Sequence, residues 1–148
     1  MNRRSMNATR TEKYSSEDEI LRLVEDFEEC TISREAWKHR EHLVVALYYV
    51  SKFDLDAATK HMRRGILRLL EHGFGVDLEK EMPYHETLTI FWMRAVHSFW
   101  SERCDLALPA VAAEMIASLD KDLPLRSYTR ELLFSDDARK RFVEPDLP

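Results

Sequence analysis

Glycine is scarce in this chain: there are three in 148 residues, where an average usage of about 7% would give roughly ten. Strand-rich folds use glycine freely in turns and bulges, so a β architecture is excluded and an all-α one expected. Cysteine is scarce too. Cys30 and Cys104 are the only two and form no CxxC pair, which fits a reduced, cytoplasmic protein. No run of 18 apolar residues exists, so no membrane span is expected. An excess of basic residues is also missing. The net charge is −5, so general nucleic-acid binding is disfavoured. Neither a P-loop nor a GxSxG elbow nor an HExxH pair occurs.

What is present reads as one globular domain, with 45% hydrophobic and 33% charged residues. Residues 1–15 carry Arg3, Arg4, Arg10 and Lys13 without an apolar stretch. They read as a mobile tail rather than a secretory signal, which leaves 16–148 as the domain.

Apolar residues at helical spacing predict five helices. The first runs from about Glu17 to Glu29, with Ser16 as cap and Glu19 completing a capping box. The second starts after Ser33 and continues to Lys52. Asp54 caps the third, which reaches His72 and stops at Gly73. The fourth starts near Pro83 and runs to Arg103; the fifth spans Pro109 to Leu119. Short helical turns fill Asp120 to Pro148, one of them capped by Ser135. Short connections between the early helices predict an up-down four-helix bundle, with the fifth helix and the tail packed across it.

Two segments carry candidate chemistry: Trp37-Lys38-His39-Arg40-Glu41-His42-Leu43 and Tyr84-His85-Glu86-Thr87. His39 and His42, three residues apart, share a helix face. In an up-down bundle the second and fourth helices run parallel, which brings His85 to the same end. Three imidazoles there can hold a divalent zinc, iron, manganese or nickel ion, with coordination positions left open. Glu86 then stands as general base or acid, with Tyr84 and Thr87 as hydrogen-bonding groups. Glu28, Glu29, Cys30, Glu35 and His72 fall near that end as further donors. His61 and His97 are expected away from it, and Arg63, Arg64 and Arg68 form a solvated face.

The segments W-x-H-x-x-H-L and Y-H-E-T-L-T, with Trp92 close behind, resemble those of a group of small bacterial all-helical proteins. The resemblance extends through the Phe142-Val143-Glu144-Pro145 ending. It implies a fold and no activity. Metal-dependent bundles of the DinB type also draw three histidines from two helices. There a single histidine precedes an H-x-x-x-H pair; here the pair comes first and is spaced i, i+3, so the likeness is one of architecture alone.

Two classes of function follow. One is a metal-dependent enzyme built on His39, His42 and His85. The other is a non-catalytic helical module that binds a small molecule or a partner protein, with the histidines structural.

Overall fold

The computed structural model describes residues 13–148. Among the described residues there are helices and turns and no strand. Helix α1 spans Glu17–Glu28, α2 His39–Lys52 and α3 Leu55–Arg68. Helix α4 spans Glu86–Ser101 and α5 Leu108–Ser118. A 3-10 turn at Leu123–Arg126 and two short helices, α6 at Arg130–Leu133 and α7 at Asp136–Lys140, complete the chain. No helix among the described residues is long and apolar enough to cross a membrane.

Local chemistry sets most helix starts. Ser16 Oγ accepts the Glu19 N–H at 3.2 Å, and the Glu19 carboxylate accepts the Ser15 N–H at 2.8 Å. These bonds satisfy donors that the first turn leaves unpaired. Glu17, Asp18 and Glu19 also place negative charge at the positive end of the α1 dipole. Asp54 caps α3 through the Ala57 N–H at 2.8 Å. Ser135 caps α7 through the Ala138 N–H at 3.2 Å.

Helix α2 is central. It buries Leu43, Val44, Val45, Ala46 and Leu47 in succession, the pattern of a helix enclosed on all sides. It packs against α1, α3, α4 and α5. Helix α5 in turn touches α1 and α4, and its Val111, Ala112 and Met115 are fully buried. It is thus part of the core rather than a cover over it. Helix α3 approaches α1 closely at Gly65: a Cβ there would lie 2.2 Å from Phe27 Cε2.

Three segments depart from the pattern expected of the sequence. First, α2 begins at His39 and not after Ser33. Ser33 Oγ accepts the Ala36 N–H at 3.2 Å and closes a turn. Trp37 then folds back to stack on Phe27, with ring centroids 4.9 Å apart. Glu41 Oε1 takes the Lys38 N–H at 3.3 Å, so a side chain inside the helix serves its start.

Second, α3 ends in a π-helical turn, Leu69–Gly73. The left-handed residue beyond it is Gly75, at φ 71°, and not Gly73. Third, Tyr14, assigned to the mobile tail, is 6% exposed. Its hydroxyl donates to the buried Glu41 Oε2 at 2.6 Å. Residues 1–12 of that expected tail lie outside the described residues.

The C-terminal segment is docked onto the start of α4. Thr87, fully buried, donates to the Arg141 carbonyl at 3.0 Å and accepts the Val143 N–H at 3.2 Å. Tyr128 donates to the Val143 carbonyl at 2.7 Å. Asp146 accepts from both the N–H and the hydroxyl of Thr129, at 2.9 and 2.8 Å.

Candidate ligand cavity

A cavity of about 430 Å³ lies between α2, α3, α4 and the segments that precede α2 and α4. The α2 side contributes Trp37, His39, His42, Leu43 and Ala46. Met62, Ile66 and Leu70 come from α3 and its π turn. Pro83, Tyr84 and His85 lead into α4, which adds Leu88, Thr89, Trp92 and Met93. The volume falls within the range of small-molecule sites, and the mostly apolar lining with a few polar groups is their usual composition. His39, His42 and His85 therefore share one cavity.

Their positions follow from the helix starts. His39 is the first residue of α2 and His42 lies in its first turn. His85 is the residue that caps α4. A helix that starts after Ser33 would put His39 in its interior; the turn at Ser33–Lys38 leaves His39 at the helix start instead.

Each ring is held by backbone. His39 Nε2 donates to the Leu119 carbonyl at 2.9 Å, and the ring meets Trp92 edge-on, with centroids 4.8 Å apart. His42 Nδ1 donates to the Lys38 carbonyl at 2.8 Å. Trp37 covers its ring at a centroid distance of 4.0 Å. His85 uses both nitrogens: Nδ1 accepts the Leu88 N–H at 3.1 Å, and Nε2 donates to the Leu133 carbonyl at 2.6 Å.

Burial lowers the pKa of His42, and the charge of neighbouring His39 adds to this, against the Lys38 hydrogen bond, which favours the charged form. Burial also lowers the pKa of His85, overcoming its bond to Leu133. Both imidazoles are therefore neutral at pH 7.

Glu86, the expected general base, does not line the cavity. Its carboxylate accepts from Arg63 Nε at 2.9 Å and Nη2 at 2.7 Å, and from the Tyr84 hydroxyl at 2.6 Å. Burial alone would raise its pKa, but the Arg63 and Tyr84 hydrogen bonds and the Arg63 charge bring it below the usual value. Arg63 is thus one half of an ion pair, whereas Arg64 and Arg68 are exposed as expected.

The other expected donors fall elsewhere. Glu28 accepts the Tyr49 hydroxyl at 2.6 Å, and His72 is exposed beside Glu71. His61 stacks on Phe53 with centroids 4.3 Å apart. Cys30, His97 and Cys104 do not line the cavity. Among the described residues no three of His, Cys, Asp and Glu converge as a metal-holding group. Tyr84 and Trp92, which line the cavity, read from sequence as core residues, because an aromatic on an apolar helix face looks the same in both settings.

No family model, curated protein or solved structure matches this chain.

Proposed function

We propose that this protein is a helical module that binds a small molecule in the cavity between α2, α3 and α4. The observation that carries this reading is the composition of that cavity: two tryptophans and three histidines, with Tyr84 and Thr89, within a mostly apolar wall. A general acid or base for chemistry is not supplied by Glu86, whose carboxylate is committed to Arg63 and Tyr84.

A second reading, the metal-dependent enzyme, draws support from one observation. His39 Nδ1 and His42 Nε2 form no hydrogen bond among the described residues, and both residues line the cavity. Completing a three-histidine site requires His85 to release Leu88 or Leu133, because a nitrogen needs a free lone pair to coordinate.

Tryptophan fluorescence and ligand-observed NMR test the two together, using neutral aromatic and aliphatic compounds alongside zinc, iron(II), manganese and nickel. Saturable binding of a compound that is lost in Leu88→Trp, which fills the cavity, supports the binding module. Metal-dependent stabilisation abolished separately by His39→Ala, His42→Ala and His85→Ala supports the enzyme instead. The binding reading falls when no compound binds the folded protein.

A further inference from the structure

We propose that the cavity selects an uncharged, planar aromatic molecule bearing a ring hydrogen-bond donor, as in a phenol. The inference rests on the reading of this cavity as a ligand site and adds the chemistry of its occupant.

Charge is settled by the lining. No Asp, Glu, Lys or Arg side chain contributes to it. The carboxylate nearest in sequence to His85 is Glu86, already paired with Arg63 at 2.7 Å. An ionic ligand would lose its hydration without gaining a counter-charge, which disfavours it strongly. Shape follows from the aromatic walls. Trp92 offers an aromatic wall that favours offset-stacked or edge-on rings, while Trp37, stacked on Phe27 and lying over His42, adds apolar wall and not a free face. Met62 and Met93 add polarizable thioethers, which pack well against aromatic rings.

Hydrogen-bond polarity follows from counting donors. The Nδ1–H of His42 is committed to Lys38 at 2.8 Å, so its Nε2 is left as an acceptor. The Nε2–H of His39 is committed to Leu119 at 2.9 Å, which leaves Nδ1. The Tyr84 hydroxyl donates to Glu86 at 2.6 Å, and that of Thr89 donates to the His85 carbonyl at 3.0 Å. His85 has no capacity left at either nitrogen. Among the side chains that line the cavity, the donors that form no hydrogen bond within the described residues are the indole N–H groups of Trp37 and Trp92. Among the described residues no side-chain polar atom is both buried and unpaired, so these N–H groups and the two free imidazole nitrogens each keep some exposed surface, on residues that line the cavity. A phenolic hydroxyl suits this set, because it donates to an imidazole nitrogen and accepts from an indole N–H.

The test compares 2-naphthol, 2-methoxynaphthalene and 2-naphthoate at pH 7.5 by calorimetry and tryptophan fluorescence. The three share one ring system and differ in donor and charge. Naphthol is expected to bind about tenfold or more tighter than the ether, since methylation leaves the imidazole acceptor unpaired. Naphthoate is expected to bind more weakly still. Removing both acceptors, in His39→Leu/His42→Leu, should bring naphthol down to the level of the ether. In the unaltered protein, naphthol and not the ether should shift the His42 Nε2 or the His39 Nδ1 resonance, which keeps the proposal testable if the variant does not fold. Equal binding of naphthol and ether overturns the donor assignment and leaves the cavity reading standing. Preferred binding of naphthoate overturns the charge argument. Failure of all three, when other compounds bind, overturns the aromatic class; failure of every compound overturns the cavity reading beneath it.

Discussion

His85 Nε2 donates to the Leu133 carbonyl across 48 residues of sequence, at 2.6 Å. Together with the Leu88 N–H bond to Nδ1, this makes one imidazole both the cap of α4 and the tie that holds the C-terminal segment against it. His85→Ala removes a cap and leaves the buried Leu133 carbonyl unpaired. A loss of about 1–3 kcal/mol is expected, read by urea denaturation. The same residue gives a pH signature. Its folded pKa lies below the unfolded value of 6.5, so its stabilising effect is complete above that pH and fades as pH falls through the folded value. His85→Asn should therefore lose less stability than the parent between pH 7 and pH 5. His42, shifted the same way, keeps part of the slope in that variant.

The Arg63–Glu86 pair predicts a second acid effect in a lower window. The Glu86 pKa is depressed in the fold, so the pair contributes fully above the unfolded carboxyl value of 4.5 and less as pH falls through the folded value. Glu86→Gln should cost about 1–2 kcal/mol at pH 7, a figure lowered for the partial exposure of Arg63. The gap from the parent should narrow below pH 4.5, which denaturation at stepped pH measures.

Gly65 predicts a packing conflict. An added Cβ would meet the Phe27 ring at 2.2 Å, and Phe27 is fully buried and stacked on Trp37. Gly65→Ala should destabilise by about 1–3 kcal/mol despite alanine's better helix propensity. The double variant with Phe27→Leu should lose less than the sum of the two single losses, because the clash disappears with the ring. Strict additivity in thermal melts would count against this contact.

Tyr14 and Glu41 give the fourth prediction. Tyr14→Phe keeps the packed ring but removes the donor to Glu41 Oε2. Arg40 still reaches that oxygen at 3.2 Å, so the expected cost is modest, about 1 kcal/mol by chemical denaturation. Tyr14→Ala also removes the buried ring and should cost about 3 kcal/mol or more.

Capping at Ser16, Asp54 and Ser135 is readable from sequence because donor and acceptor lie three residues apart. The start of α2 is not readable: Ala36 and Trp37 continue an apolar helical pattern, and Lys38 carries no capping oxygen. Trp37 leaves the helix because stacking on Phe27, ten residues earlier, outweighs one more helical turn. Tyr14 was misplaced for a similar reason, since its partner Glu41 is 27 residues away. The pairing of His39 with His42 on one helix could be read from their spacing. The hydrogen bonds of His39 and His85 could not, because the carbonyls of Leu119 and Leu133 belong to segments whose placement has no local signal. Glu86 looked available for chemistry until Arg63 was placed beside it by the α3–α4 packing.

The hydrogen bonds of the cavity histidines also impose an order on biosynthesis. Every residue lining the cavity lies between Trp37 and Met93, yet His39 is held by Leu119 and His85 by Leu133. A nascent chain that has just released Met93 from the ribosome carries the complete wall without the groups that orient two of its imidazoles. Vectorial synthesis thus separates the emergence of the pocket's residues from its maturation, which waits on the last fifth or so of the polypeptide.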